Sequence, residues 1–262
     1  MDQLRRDQMQ RRRRQRFFLI GGIAAVVIAL IAVLAAVLPG GGKKTTAGTT
    51  TTVTTAKTTS TTAPTPVSVP LINAPAKVGC PNLNGSSPHY THFSAPPPMC
   101  INPAKAYTAT MVTTAGTITI KLLASENPTT VNNFVFLSAY HFYNGTAFHR
   151  VVINFVDQGG DPTGTGSGGP GYSFDGGAPK SADVYTAGAL AMANSGTPSS
   201  DGSQYFIVVG KGGAELSPNY SYFGQVTAGM DVVNKINAGG SASSAGTPTI
   251  LYKVNSVSIT ES

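Results

Sequence analysis

From Ala104 onward, short runs of alternating apolar and polar residues are separated by glycine-containing turns. Ala106–Val112 and Thr117–Leu123 alternate and are joined by TTAG, which predicts a β-hairpin. Asn127-Pro128 then reads as a helix start, with asparagine as the cap and proline in the first turn. Val131, Phe134 and Val135 continue at helical spacing to about Tyr140. Further apolar runs predict strands over Phe148–Val156, Ala187–Ala193, Gln204–Val209, Tyr222–Val226 and Ile250–Ile259, with a short helix over Met230–Asn237. Many short strands, glycine turns and two helices imply a mainly β fold: a closed β-barrel with helices over its ends. Ala104–Ser262 is long enough for one core of its own.

Upstream the pattern is different. Phe17–Leu38 is a run without a charged residue. As a helix at ~1.5 Å per residue it spans about 33 Å, enough for a hydrocarbon core of roughly 30 Å. Arg11–Arg14 precede it, so the expected orientation keeps the N-terminus in the cytoplasm and sends the rest outside. A cleaved signal peptide is the rival reading, but its apolar region would be shorter, about 7–15 residues, and no clear A-x-A site follows. Between Lys43 and Thr65 threonine dominates and no apolar period exists, which reads as a disordered, glycosylatable stalk. Residues 71–103 are rich in proline, glycine and asparagine and hold both cysteines, Cys80 and Cys100, together with His89 and His92. The Cys–His–His–Cys spacing matches no zinc pattern. Outside a membrane the cysteines read as a disulfide, stabilising by roughly 3 kcal/mol in the chain-entropy model. The expected organisation is a basic tail (1–16), a transmembrane helix (17–38), a threonine-rich linker (39–70), a cysteine-containing segment (71–103) and a mainly β domain (104–262).

Charge narrows the partners. The formal net charge is +7, but Met1–Arg16 alone carries seven arginines against two aspartates. From Ile101 onward acids outnumber bases, so the basic balance belongs to the tail and nucleic acid is not an expected partner. Gly164–Gly169 matches GxGxxG, yet Pro170-Gly171 follows where a dinucleotide site needs a helix, so it reads as a surface loop. Neither GxSxG nor a P-loop occurs. His141 and His149 lack spaced partners for a metal. No cofactor and no metal is expected.

Two runs remain that mix polar groups into core-like sequence: TAFHRVVINFVDQGGD (Thr146–Asp161) and GALAMANSGTPSSDGSQYFIVVG (Gly188–Gly210). A buried strand should not carry an unpaired arginine, which costs several kcal/mol on an order-of-magnitude scale. FHRVVINFVDQGGD with ALAMANSG and DGSQYFI closely resembles the cyclophilin family of peptidyl-prolyl cis-trans isomerases, over roughly Tyr107–Thr260. The resemblance implies a closed eight-stranded barrel capped by two helices. It implies Arg150 as the catalytic arginine. Phe155, Val156, Phe206 and Leu216 fall at the walls of a proline pocket, with Val156 where methionine is frequent. Gln158, Ala193, Asn194 and Gln204 fall where the family contacts the substrate backbone. His149 lies beside the arginine and reads as mainly structural, because strand neighbours point to opposite faces. Tyr220 stands where a histidine is common, and Glu215 where many members carry a cyclosporin-binding tryptophan; this chain has no tryptophan.

The implied chemistry needs no nucleophile. Rotation about X–Pro breaks no bond, and its barrier of ~18–20 kcal/mol is amide resonance. A fixed guanidinium that donates to the proline nitrogen as it regains its lone pair lowers that barrier. The expected substrates are proline-containing polypeptides, in particular secreted or cell-surface proteins, met by a membrane-tethered isomerase. A tethered module that binds proline segments without catalysis is the alternative.

Overall fold

The computed structural model describes residues 64–197 and 199–262. The basic tail, the apolar span Phe17–Leu38 and most of the threonine-rich linker lie outside the described residues. Among those described, no helix is long and apolar enough to cross a membrane.

Strands β1 (Tyr107–Thr113) and β2 (Gly116–Leu122) form the expected hairpin, Tyr107 opposite Leu122 and Thr113 opposite Gly116. The Thr113 hydroxyl closes the turn by accepting from the amides of Ala115 and Gly116. Helix α1 (Pro128–Ala139) starts as its sequence dictates, with the Asn127 side chain accepting from the Thr130 amide and proline in the first turn. The remaining elements are β3 (Arg150–Val152), β4 (Val156–Gly159), β5 (Ala189–Met192), β6 (Tyr205–Val208), β7 (Tyr222–Ala228), α2 (Met230–Ala238) and β8 (Val254–Glu261), with short 3-10 turns at Ala182–Val184 and Gly212–Glu215.

One expected strand is two. Phe148–Val156 is interrupted by a turn at Ile153–Phe155, so β3 doubles back and pairs antiparallel with β4. Asn154 adopts φ +60, a left-handed conformation that asparagine tolerates better than most residues. Its amide donates to Asn237 Oδ1, 83 residues away. Apolar periodicity cannot register such a turn because Ile153 and Phe155 keep the run hydrophobic.

The eight strands make one sheet in the order β3-β4-β6-β5-β7-β2-β1-β8. The sheet curls into a half-barrel, and the full closure expected from sequence is not achieved by a strand ladder, since the end strands β3 and β8 are not paired with each other. The gap is bridged by the approach to β3: the Phe148 amide donates to Tyr252 O, and the Val254 amide to Thr146 O. The inner face of the sheet packs on α1 and α2 through Met111, Ile118, Ile120, Phe134, Phe223 and Ile236, all fully buried.

Residues 71–103 do not hang off this body. Phe93 and Ile101 join the main core. Phe93 packs on Phe136 of α1 at 5.0 Å, and Asn132 of α1 accepts from the Cys100 amide and donates to Pro98 O. This cover explains why every residue of α1 from Thr130 to Ala139 is buried, a state that an amphipathic surface helix does not reach. Cys80 and Cys100 are joined in a disulfide with Cα atoms 5.3 Å apart.

Candidate functional site

β5 and β6 are buried on both faces, which is why ALAM and YFIV read as continuous apolar runs. Leu190, Met192, Tyr205 and Ile207 face the main core. Ala189, Ala191, Phe206 and Val208 face the other way and form a second, smaller apolar cluster with Val156 and Tyr185. Phe155, Ala193, Leu216, Tyr220 and Tyr222 pack against it. Six of the residues singled out in the sequence (Phe155, Val156, Ala193, Phe206, Leu216 and Tyr220) thus meet at one place, from four separate segments. Alanine at 189, 191 and 193 keeps the floor of that place low. Tyr220 stands edge-on to Phe206 at 5.3 Å, and the Tyr185 hydroxyl pins its backbone by donating to Tyr220 O and accepting from its amide.

The polar side of the site is a row across three strands. Arg150 on β3 is opposite Gln158 on β4, which is opposite Phe206 on β6. Arg150 Nη1 donates to Gln158 Oε1 at 3.4 Å, Gln158 Nε2 to Gln204 Oε1 at 3.0 Å, and Gln204 Nε2 to Gly166 O and Gly168 O at 2.9 Å each. Arg150 Nε and Nη2 both donate to Ser244 O, at 3.3 and 3.0 Å. Every partner of the guanidinium is therefore neutral, and among the described residues it forms no ion pair. Partial burial lowers the Arg150 pKa and the nearby Tyr220 hydroxyl opposes this; the group remains a cation at neutral pH. Two of its five N–H groups are left over for a ligand.

His149 leaves this row. Its ring lies near Gly166, and among the described residues neither buried ring nitrogen has a hydrogen-bond partner of good geometry. Burial lowers its pKa, with the Asp161 carboxylate pulling the other way, so the imidazole beside the guanidinium is neutral. Asn194 is committed through its side chain: Nδ2 donates to Asp201 Oδ1 and Asn219 O, and Oδ1 accepts from the Gly196 amide. Its backbone is what remains to meet a peptide. Glu215 is exposed at the end of the Gly212–Glu215 turn, one residue from Leu216 on the apolar cluster.

Three contributors had no signal in the sequence. Ser244 O lies 94 residues from Arg150 in a loop of small residues. Tyr185 sits in a stretch without periodicity. The glycine loop after β4 is organised by Asp161, whose carboxylate accepts from the amides of Thr163, Thr165, Gly166 and Gly168. Burial alone would raise the Asp161 pKa, but these bonds outweigh it and hold it below the ordinary carboxylate value. The amides that a GxGxxG loop would offer a phosphate are thus consumed internally. Beside this loop opens a cavity of about 390 Å³, whose lining includes Gln158, Gly166, Gly168, Ala193, Asn194 and Gln204. It adjoins the apolar cluster through Ala193, which belongs to both.

A family model described as cyclophilin type peptidyl-prolyl cis-trans isomerase/CLD matches residues 108–259. The chain is 42% identical over 134 residues to peptidyl-prolyl cis-trans isomerase cypE of Dictyostelium discoideum, covering 50% of this chain and 85% of that protein. It is 41% identical over 140 residues to peptidyl-prolyl cis-trans isomerase A of Mycobacterium tuberculosis, covering 48% and 76%. A crystal structure of a cyclophilin type isomerase from Cryptosporidium parvum superposes with a TM-score of 0.54 at 31% identity, over 59% of this chain and 98% of that one. The same protein, in the presence of the dipeptide Ala-Pro, superposes with a TM-score of 0.53.

Proposed function

The chain belongs to the cyclophilin-type peptidyl-prolyl cis-trans isomerases, and from that premise we propose that Arg150 drives rotation about X–Pro bonds by donating to the proline nitrogen. In the twisted transition state that nitrogen loses amide resonance and becomes an acceptor. A donor that bonds it there and not in the planar ground state stabilises the transition state selectively. The observation that carries this reading is the guanidinium itself: held by the neutral acceptors Ser244 O and Gln158 Oε1, unpaired with any carboxylate among the described residues, and close to Tyr220 at the edge of an apolar cluster. A neutral clamp fixes the group without cancelling its charge, and partial burial strengthens its field.

In this reading the proline ring rests among Phe155, Val156, Phe206, Leu216 and Tyr220. Gln158, Gln204, Ala193 and the Asn194 backbone hold the flanking chain, and neutral His149 supports β3 from behind. Substrates are proline-containing polypeptides, the class to which the Ala-Pro dipeptide of the related structure belongs. We place the domain outside the cell membrane, tethered through Phe17–Leu38 and the threonine-rich linker, where it serves secreted or surface proteins whose proline isomerisation otherwise takes tens to hundreds of seconds. No cofactor or metal enters the mechanism.

The test is turnover by the full-length chain. Exchange between the cis and trans forms of a proline peptide, followed by NMR at catalytic protein concentration, should accelerate. Binding of the peptide without acceleration would replace this reading with that of a tethered proline-binding module.

A further inference from the structure

Residues upstream of the family-matched region reach the site. The segment preceding β1 runs in two arms that bond to each other: Thr91 and His92 donate their amides to Ile72 O, the Ala74 amide donates to His92 O, and the Thr91 hydroxyl bridges Pro70 O and the Ile72 amide. The second arm lies within the loop closed by the Cys80–Cys100 disulfide, and the first arm leads into that loop. Each arm also takes hold of the glycine loop, at opposite ends. The Val69 amide donates to Pro162 O at 2.7 Å, and the Phe93 amide donates to Pro170 O at 2.7 Å. Approach is close at both ends. A Cβ on Gly164 (φ +67) would stand 2.5 Å from Val67 O, and one on Gly171 (φ +98) 2.4 Å from Phe93 O. Only glycine fits at either position.

Between those two grips, the loop presents Gly166 O and Gly168 O to Gln204, which bonds Gln158, which bonds Arg150. The same loop forms one wall of the 390 Å³ cavity beside the apolar cluster. We propose that residues 67–93 are a clasp that sets substrate specificity: by holding both ends of Pro162–Gly171 they fix the width of the cavity that receives peptide residues flanking the proline. This rests on the isomerase reading above. The clasp touches no reacting atom. It positions the loop, so its loss should be felt by long peptides, which fill the cavity, and not by short ones.

The experiment uses the full-length chain with two variants. Val69→Pro deletes the amide that holds Pro162 O at a half-buried position. The double variant Cys80→Ser with Cys100→Ser loosens the arms without touching the loop. Turnover is measured on a short blocked Ala-Pro peptide and on a longer peptide with three residues on each side of the same Ala-Pro. We expect KM for the long peptide to rise about tenfold, somewhat above the usual net worth of a single hydrogen bond because the loop moves as a unit. The short peptide should stay within about twofold. Amide exchange at Thr165, Gly166 and Gly168 should quicken in both variants. An unchanged long-to-short ratio in both variants overturns the clasp, as does equal loss on the two peptides. If the wild type turns over neither peptide, the isomerase reading fails instead, and unchanged amide exchange in the loop would then overturn the clasp by itself.

Discussion

Arg150 and Gln158 face each other across the β3–β4 ladder, and the guanidinium donates to Gln158 Oε1 while Gln158 Nε2 donates to Gln204, itself bonded to the glycine loop. The pair is adjacent only because the chain reverses at Asn154, eight residues of sequence being folded into one rung. Arg150 is thus oriented by backbone oxygen on one side and an amide chain on the other. Replacing it with alanine should lower kcat/KM by ~10²–10³, the usual cost of a donor used in the transition state. The fold should survive, since no buried carboxylate is left unpaired. Native circular dichroism with unchanged kcat/KM would remove Arg150 from the mechanism.

Asp157, between Val156 and Gln158, points into the core. Its Oδ1 accepts from Asn237 Nδ2 at 2.7 Å, while Oδ2 has no partner among the described residues. Burial raises its pKa to about 7, with the Asn237 bond pulling it down. A raised folded-state pKa means that the native protein holds this proton more tightly than the unfolded chain. The resulting stability is fully present below about pH 4 and is lost as the pH rises through about 7, by an amount on the order of a few kcal/mol. Thermal melts should therefore fall between pH 5 and pH 8. Asp157→Asn should flatten that slope and melt higher than wild type at pH 8. A slope retained in the variant would assign the effect to another group.

The proposed membrane topology has a direct test. Protease added to intact cells should release the isomerase domain by cutting the threonine-rich linker, while the disulfide-braced region from Cys80 onward resists. Protection of the whole chain until the cells are lysed would place the domain on the cytoplasmic side.

Glu215 is exposed at the rim of the Leu216 cluster, and the family resemblance aligns it with the position where an indole donor helps to bind cyclosporin. A carboxylate accepts hydrogen bonds and cannot supply that N–H. Weak inhibition of the wild type is expected, with Glu215→Trp binding more tightly by roughly 1–3 kcal/mol, the scale of one unmade buried bond. Side-by-side inhibition curves decide it: tight inhibition of the wild type, or no gain in the variant, would show that other contacts dominate.

The sequence by itself determined what depends on neighbours in the chain. The β1–β2 hairpin, the Asn127 cap with its proline, and the apolar runs of β5 and β6 follow from spacing and local chemistry. The two polar-bearing runs pointed to Arg150, Gln158 and Gln204, because a polar group inside a core strand is costly unless it is bonded or used. Only the tertiary structure decided what depends on segments far apart. Asn154 reverses β3 against an Asn237 that lies 83 residues away, Ser244 O holds a guanidinium 94 residues distant, and residues 71–103 bury the outer face of α1. Periodicity reports which face of an element is buried; it carries no record of which distant backbone oxygen or side chain arrives to satisfy the polar groups left on that face.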